Sequence, residues 1–585
     1  MMKESIQTKH QASKAVLLRL TRYILRDRLK ICIVSISILL STILTVYAPT
    51  LLGHIVDRYI LKRDISGTFE HLLYLALIYL VVSALAWVET YMMIQVSVGV
   101  VRALRLELFE KFQVLPPSYH KEHSPGDLMS RLTNDLDNLS TALSQNAVPL
   151  ISSILTISGT IIAMLLLSWQ LALISFIILP FLLYVSRKIV MRSSTDYVAR
   201  QHALGNMNAH INEHILGAEV ATLFNQEKEQ WHTFNTRNRC YKKADFQAEV
   251  VSSSLAPLNR FFNNMALTLM VGVGAIMTVY GMATIGMIAS FSAYSRQFFK
   301  PTEQLSNALN SLQAAYAGVK RVFEVLDAPN EFTKDQEKIS LNEITEDIII
   351  EKMSIENSKG EMVLKEISMQ IPLGKRVAII GPAGSGKTAL LNYLNTFYDL
   401  KSGRILINNE LISNYKKSQL RKCINSVPEH MYLFTGSILE NIRLSNPSAT
   451  DEEVIQAAKK VQAHKFINRL PEKYETMLYS NGDNLSQGER QLITIARAVL
   501  ANPDVLILDQ IIAEFNISIN LHILKALQEA TRTKTLIFTT HNIDVLHAVD
   551  WIFVLKEGQL IQQGRYDDLI KESGFYRSLY EPVQK

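Results

Sequence analysis

One eight-residue stretch, residues 381–388, constrains this chain more than any other. It reads Gly-Pro-Ala-Gly-Ser-Gly-Lys-Thr and matches the phosphate-loop pattern G-x-x-x-x-G-K-[ST] at every fixed position. The apolar run 376–380 before it predicts a buried strand, and residues 389–394 after it predict a helix. Such a loop turns backbone N–H groups inward towards phosphate, and the helix N-terminus adds a positive dipole. The alternative is a glycine-rich turn that binds nothing, which the strand, helix, Lys and Thr together disfavour.

The loop predicts a site for ATP and Mg²⁺. Lys387 is expected to reach the β- and γ-phosphates, and Thr388 to ligate Mg²⁺. The apolar run 505–508 predicts a second buried strand, and Asp509 at its end is expected to hold Mg²⁺ through water. The predicted ATP-binding residues of the loop are Gly381, Pro382, Ala383, Gly384, Ser385, Gly386, Lys387 and Thr388.

The first half of the chain carries an apolar excess that predicts a membrane domain. The chain has 585 residues, of which 48% are hydrophobic and 19% are charged. Its apolar blocks approach the ~20 residues that cross a bilayer. The candidate spans are residues 31–56, 72–98, 147–167, 171–190, 251–280 and 283–305. The lipid bilayer is therefore a predicted partner.

Charge and loop length predict the orientation of these spans. The loops after the second and fourth spans are long and helical in pattern, and basic residues flank them. By the positive-inside rule both termini and the long loops are cytoplasmic, which predicts a multi-pass protein of a bacterial plasma membrane. The three scattered cysteines fit a reduced compartment. A nucleic-acid partner is not expected, because there is no concentrated basic stripe with aromatic residues.

The order of these features predicts three segments. Residues 1–326 form a transmembrane domain with two long cytoplasmic helical loops, 327–347 a polar linker, and 348–585 a nucleotide-binding domain. In the last segment apolar runs alternate with helical patterns, as in a mostly parallel sheet surrounded by helices. The predicted fold is thus an all-α six-helix membrane domain followed by a cytoplasmic α/β phosphate-loop ATPase domain.

A second motif makes the resemblance specific. Residues 484–491 read Asn-Leu-Ser-Gln-Gly-Glu-Arg-Gln and precede the Asp509 strand. This stretch resembles the signature of ABC transporter nucleotide-binding domains, which implies that the ATPase domain includes an α-helical signature subdomain. The resemblance implies that it contacts the γ-phosphate of an ATP held by a partner domain, through the residues Leu485, Ser486, Gln487, Gly488 and Glu489. A simple helix cap is the alternative.

The likeness extends into the membrane domain. Residues 118–120 and 126–135 resemble the first intracellular loop of type-IV exporters, and Pro301 with residues 321–326 resembles the end of their sixth span. The resemblance implies a half-transporter that pairs with a second ABC half-transporter. It also implies export of small hydrophobic or amphipathic substrates, such as drugs, lipids or peptides.

Several positions depart from the family pattern. Asn357 stands where an aromatic residue normally stacks on adenine, and Glu429 replaces a Gln that touches Mg²⁺ and water. Gln510 follows Asp509 where the family has its general-base Glu, and an amide cannot accept a proton from water at neutral pH. Residues 513–516 also differ, whereas His541 keeps the switch position. The predicted catalytic positions are therefore Gln510, His541 and Glu429.

These departures predict a chain that binds ATP but hydrolyses it weakly, while its signature completes an active site on a partner. This pattern resembles heterodimeric ABC exporters with one degenerate site. The alternatives are that another carboxylate such as Glu514 replaces the base, that the protein is a homodimeric exporter with atypical catalysis, or that it is a non-transporting ATP-sensing membrane regulator.

Polar residues within the spans are candidates for a substrate cavity. Glu89 lies near the middle of the second span, where an ionisable residue usually faces a cavity or a partner. Arg260, Asn263 and Asn264 form a polar face at helical spacing in the fifth span. The alternative for Glu89 is a helix–helix contact or a water-exposed position, and this alternative is the favoured one.

Overall fold

The computed structural model describes residues 15–333, 335–357, 360–429, 431–509, 534–540, 546–547, 549–571 and 574–576. The chain divides into two compact units. The first comprises residues 1–110 and 126–327, and the second comprises residues 111–125 and 328–585.

The first unit is built of long helices. α1 contains a 3₁₀ turn at Leu25–Asp27 and ends in a π-helical turn at Val56–Ile60. The helices are α1 Ala15–Ile60, α2 Ile65–Val114, α4 Pro125–Leu167, α5 Trp169–Leu216, α6 Ala218–Leu223, α7 Glu227–Ser253, α8 Leu255–Val279 and α9 Ile285–Leu326. Four helices of the described part are long and apolar enough to cross a membrane: α1, α2, α4 and residues 260–279 of α8. The count of six spans stays a prediction.

Side chains of α9 donate hydrogen bonds to backbone carbonyls of α1 around a proline inside that helix. Pro49 has no N–H, so the carbonyl of Thr45 loses its helical partner. Gln297 Nε2 donates to that carbonyl at 3.0 Å, and Tyr294 Oη donates to the Val46 carbonyl at 2.7 Å. Ser290 Oγ donates to the Pro49 carbonyl at 2.8 Å. Three consecutive side-chain hydrogen bonds therefore join the part of α1 around Pro49 to α9.

An ion pair joins the two sequence stretches that resemble type-IV exporters. Asp135 in α4 is almost fully buried, and Arg321 in α9 binds its carboxylate with Nε at 2.9 Å and with Nη2. Arg131 donates to the Arg321 carbonyl at 3.3 Å. The two stretches are thus linked in space although about 190 residues separate them.

The second unit is an α/β domain built on two principal sheets. Its strands are β1 Ile348–Glu356, β2 Met362–Ile371, β3 Arg376–Ile380, β4 Ser402–Ile407, β5 Glu410–Leu411, β6 Ile424–Val427, β7 Gly436–Ser437, β8 Met477–Leu478, β9 Val505–Leu508, β10 Thr535–Thr539, β11 Trp551–Lys556 and β12 Gln559–Gly564. Its helices are α3 Pro117–Glu122, α10 Lys387–Leu394, α11 Lys417–Cys423, α12 Ile438–Arg443, α13 Asp451–Lys460, α14 Ala463–Ile467, α15 Gln487–Leu500 and α16 Tyr566–Lys571.

The larger sheet has the order β12-β11-β3-β10-β9-β6, in which β12 alone is antiparallel to its neighbour. The smaller sheet, β2-β1-β4-β5, is antiparallel throughout. One apolar core lies between the two sheets, and a second lies between the larger sheet and helices α12 to α15. Strands buried on both faces read as continuous apolar runs, as β3 and β9 do.

The polar segment predicted as a linker packs against the α/β domain. Leu341 and Ile344 are buried in the core between the sheets. Ile339 pairs with the chain at Tyr415, and its N–H donates to the Asn414 carbonyl at 2.8 Å. Asp335 is buried, and its carboxylate accepts the first backbone N–H groups of α11 at 3.2 and 3.3 Å. We call the described part of residues 328–347 the strap.

We expect Asp335→Ala to destabilise the α/β domain by about 1–2 kcal/mol, because it removes a helix cap and leaves two backbone donors unpaired. The measurement is the thermal unfolding midpoint of the full chain. Glu337→Ala is the matched control, since Glu337 lies in the same short 3₁₀ turn and is exposed. An equal shift for both variants would contradict a capping role.

Candidate nucleotide-binding site

Three parallel strands of the larger sheet bring the predicted site residues to one edge. The phosphate loop follows β3, Asp509 follows β9, and Glu429 lies just after β6. Because these strands run parallel, their carboxyl ends meet at the same edge of the sheet. The Asp509 N–H donates to the Val427 carbonyl at 3.0 Å, which fixes the carboxylate beside β6.

Glycines shape the phosphate loop where other residues do not fit. Gly381 has φ +155°, and a Cβ there would lie 2.1 Å from the Leu555 carbonyl oxygen. Gly386 caps α10 with φ +98°, and a Cβ there would lie 2.3 Å from Leu364 Cδ2. Strands β11 and β2 therefore press against the loop, so only glycine lets the backbone take this path.

Lys387 is a buried cation directed into the loop. Its side chain is 4% exposed, and Nζ donates to the carbonyls of Gly381 at 2.8 Å and Pro382 at 2.9 Å. Burial lowers the pKa of Lys387, and the carboxylates of Asp509 and Glu429 oppose that shift. The structure therefore brings the lysine close to both acidic residues.

Ser385 adds an unsatisfied hydroxyl to the same loop. The residue is 2% exposed, and its Oγ has no hydrogen-bond partner among the residues that the structure describes. Buried hydroxyls rarely lack a partner without a functional reason. A glycine cradle, a buried ammonium group and an orphaned hydroxyl together fit the phosphates of ATP. Thr388, at the start of α10, is exposed.

Asp509 is held by a residue that the sequence reasoning did not select. Thr539 Oγ1, at the end of β10, donates to Asp509 Oδ1 at 2.7 Å. This bond fixes one carboxylate oxygen of the buried Asp509. A Thr one strand away along the sheet carries no sequence signal for this contact, because the order of the strands is not visible in the sequence.

The signature stretch forms the start of α15. Ser486 is the N-cap, and Glu489 completes a capping box by accepting the Ser486 N–H at 2.9 Å. Leu485 is buried, whereas Ser486 and Gln487 are exposed and Gly488 is half-buried. The helix cap that was the alternative interpretation is therefore present. It leaves the exposed N-terminus of a 14-residue helix accessible to an anion.

The sequence of the whole chain matches known proteins in the same order of domains. Residues 31–302 match the family model of the ABC transporter transmembrane region, and residues 364–513 match that of the ABC transporter. The ABC transporter ATP-binding protein YfiC of Bacillus subtilis is 35% identical over 98% of this chain and 95% of its own length. The chain belongs to the ABC transporter family. It is therefore a multi-pass membrane protein whose ATP-binding domain is an ATPase coupled to transport.

Two further proteins are similar to this transporter, one in sequence and one in structure. The fatty acid ABC transporter ATP-binding/permease protein of Mycobacterium bovis is 35% identical over 87% of this chain and 80% of that protein. The solved structure of a bacterial Atm1-family ABC exporter with ATP bound matches 94% of this chain and 98% of that chain with a TM-score of 0.77. At 22% identity this second likeness establishes the fold alone.

The position predicted for adenine stacking is occupied by a polar turn. Asn357 directly follows β1, and its side chain accepts the Glu361 N–H at 3.0 Å and donates to the Glu361 carboxylate at 2.8 Å. No aromatic residue occurs anywhere in the sequence 348–371. Asn357 therefore closes the β1–β2 hairpin of this transporter and offers no aromatic face to a base.

A half-buried arginine connects the signature helix to α12 and to the loop between β6 and β7. Arg497 in α15 donates to the Asn441 carbonyl at 2.8 Å, to Asn441 Oδ1 at 3.0 Å and to the Tyr432 carbonyl at 3.2 Å. Burial lowers the pKa of this guanidinium. Asn441 in turn donates to the Phe434 carbonyl at 2.9 Å. This network also escaped the sequence reasoning, because nothing local marks Arg497 as different from its neighbours.

The candidate cavity residues lie in the membrane unit. Glu89 is buried in α2, and Ser41 Oγ of α1 donates to its carboxylate at 2.8 Å. In α8, Arg260 and Asn264 are exposed and Asn263 is half-buried. Glu89 thus has a helix–helix contact, and the role of all four residues in a cavity stays a prediction.

The remaining catalytic candidates cannot be placed. Gln510, Glu514 and His541 lie outside the described residues, as does the rest of 513–516. Their roles stay predictions.

Proposed function

We propose that this chain is one half of a heterodimeric ABC exporter. In this proposal its own phosphate loop mainly holds ATP with Mg²⁺, and its signature completes the working site on a second half-transporter. The observation that carries the proposal is a complete phosphate cradle combined with altered residues at the positions for base stacking, water placement and proton removal.

The cradle supports ATP binding by this chain. Lys387 and Ser385 direct a buried cation and an orphaned hydroxyl towards the place where phosphate oxygens would lie. Thr388 and Asp509 are the proposed Mg²⁺ residues, because a hydroxyl and a carboxylate are the hard oxygen ligands this ion prefers. ATP supplies the free energy of the transport cycle when it is bound.

The altered positions support weak hydrolysis at this chain's own site. Asn357 is engaged with Glu361, so adenine gains no stacking there. Glu429 places a carboxylate beside Lys387 where the family has a neutral amide. Gln510 has no basic lone pair to take the proton of an attacking water. The chain retains the groups that hold a nucleotide and lacks the group that activates water.

The signature supports work in trans. Ser486 and Gln487 are exposed at the N-terminus of α15, where the helix dipole favours an anion. Glu489 satisfies the Ser486 N–H and also accepts the Ser486 hydroxyl at 2.8 Å, so it orients the serine. An exposed and preorganised helix end suits the γ-phosphate of a nucleotide held by another chain.

The proposed substrates are hydrophobic or amphipathic molecules, with fatty acids or lipids favoured among the drugs, lipids or peptides that the fold accommodates. A relative at 35% identity is a fatty acid transporter. An apolar hollow of about 410 Å³ lies between α1, α4 and α9, with Ile43, Leu155 and Tyr294 in its wall. Glu89, Arg260, Asn263 and Asn264 are proposed to supply polar contacts in the transport cavity. The proposed location is a bacterial plasma membrane with both termini in the cytoplasm.

We expect the purified chain alone to hydrolyse ATP at least about 100-fold more slowly than its complex with the partner half-transporter, because Gln510 provides no general base. The experiment isolates the complex from the native membrane and compares its ATPase rate with that of the chain reconstituted alone. Lys387→Ala in the isolated chain identifies any turnover that depends on its own loop. Fast turnover by a homodimer, lost in that variant, would contradict the heterodimer.

A further inference from the structure

A hollow lies where the first two long helices meet at their basic end. It has a volume of about 330 Å³ and lies between residues 23–27 of α1 and residues 96–106 of α2. Ile24, Val100 and Leu106 contribute apolar wall, and Arg26 and Arg102 contribute two guanidinium groups. Gly99 also lines it, and a Cβ at Gly99 would meet nothing closer than Asp27 Oδ2 at 3.9 Å.

The walls of this hollow are fixed in place. Arg19 lies over the Phe323 ring at 4.4 Å from its centroid and forms an ion pair with Asp327. Tyr23 Oη donates to Glu107 Oε2 at 2.6 Å, which joins α1 to α2 directly beside the hollow. These contacts between helices therefore hold the two walls of the hollow in fixed positions.

The charge inside the hollow is positive. Asp27 also lines the hollow, but its carboxylate forms an ion pair with Lys30 at 3.0 Å, so the two guanidinium groups give the lining a net positive charge; Glu107, which accepts the Tyr23 hydroxyl, does not line it. Arg26 and Arg102 are exposed. Neither guanidinium group forms a hydrogen bond or an ion pair with the residues that the structure describes. Two uncompensated guanidinium groups beside an apolar wall attract an anion that carries a hydrocarbon chain.

The position of the hollow along the helices identifies the source of that anion. Arg102 follows the apolar stretch of α2, which is one of the helices able to cross a membrane. Leu25 and Leu29, in the same part of α1, have 49% and 74% of their surfaces accessible, as expected for side chains that contact lipid. Arginines at the end of a span lie at the level of the lipid phosphates.

We propose that this hollow binds the phosphate headgroup of an anionic phospholipid, with Arg26 and Arg102 on the phosphate and an acyl chain along Ile24, Val100 and Leu106. The bound lipid joins α1 to α2 at the membrane surface. The site is separate from the transport cavity and does not depend on whether the transporter is a heterodimer or a homodimer.

The test measures lipid retention by the purified transporter in its native assembly. The protein is delipidated in detergent and titrated with phosphatidylglycerol or with phosphatidylcholine, and bound lipid is counted by native mass spectrometry. We expect Arg26→Gln combined with Arg102→Gln to weaken phosphatidylglycerol binding about 30-fold, since each basic residue near the surface contributes about fivefold. The matched control combines Arg22→Gln with Arg28→Gln, which removes two exposed arginines of α1 that do not line the hollow.

A second variant keeps both arginines and fills the space. Gly99→Leu directs a side chain into open room, so we expect a folded protein that has lost the lipid. Undiminished phosphatidylglycerol binding in the double arginine variant or in Gly99→Leu would overturn the proposal. Equal binding of phosphatidylcholine would also overturn it, and so would displacement of the lipid by millimolar inorganic phosphate, which would indicate a site for a free anion.

Discussion

Ser486→Arg is expected to lower ATP hydrolysis by the assembled transporter about 100-fold, whereas Lys387→Ala lowers it much less. Arginine at position 486 places a bulky cation where the exposed start of α15 would meet the γ-phosphate on the partner. Lys387→Ala removes one charged contact, worth about 1.5–3 kcal/mol, from the nucleotide that this chain itself holds. The measurement is the ATPase rate of both variant complexes side by side at saturating ATP.

Ser486→Arg also removes a helix cap, which needs its own control. Thr450 caps α13 with the same capping box, in which Glu453 takes the part that Glu489 takes in α15. Thr450→Arg therefore loses an equivalent cap of about 1 kcal/mol away from the phosphate site and should keep nearly full activity. If Lys387→Ala proves the more damaging change, the working site is this chain's own and the proposed assignment is reversed.

Arg497→Met is expected to destabilise the α/β domain by about 3 kcal/mol and to lower its unfolding midpoint by roughly 8 °C. The substitution keeps the volume of the side chain but removes the guanidinium donors from the Asn441 and Tyr432 carbonyls, whereas Asn441 Oδ1 still accepts the Phe434 N–H at 2.9 Å. Asn441 is buried in α12, and Tyr432 lies in the loop between β6 and β7. The measurement is the thermal unfolding of the full chain, followed by tryptophan fluorescence.

Arg490→Met provides the comparison on the same helix. Arg490 pairs with Asp483 at 3.8 Å, and the Asp483 side chain is 70% exposed. Exposed pairs of this kind contribute less than about 1 kcal/mol. If Arg490→Met lowers the unfolding midpoint as much as Arg497→Met does, loss of any positive charge on α15 is enough to destabilise the domain. The hydrogen bonds of Arg497 would then have no particular importance.

The parts of this structure that the sequence predicted are those with a local signal. The strand at Arg376–Ile380 and the strand at Val505–Leu508 are confirmed, because uninterrupted apolar runs bounded by glycine or aspartate are typical of strands buried on both faces. The start of α15 at Ser486 is likewise visible as a Ser followed three residues later by Glu. The phosphate loop was predicted from the spacing of its own residues alone.

The parts that escaped prediction depend on residues far apart in the sequence. Thr539 meets Asp509 across 30 positions, and Arg497 meets Asn441 across 56. The polarity of residues 327–347 predicted a linker, yet several side chains there reach buried or hydrogen-bonded positions on the α/β domain, such as Asp335 and Leu341. A polar composition does not distinguish a solvated segment from one whose polar groups find protein partners.

The hydrogen bonds around Pro49 limit how the membrane domain can change shape. In a hydrocarbon interior no water replaces Gln297 as donor to the Thr45 carbonyl, so pulling α9 away from α1 would strand an acceptor at a cost of several kcal/mol. We therefore expect α1 and α9 to move together as one rigid body during the transport cycle. The membrane domain then bends at contacts between its other helices, and hinge residues should be sought outside α1 and α9.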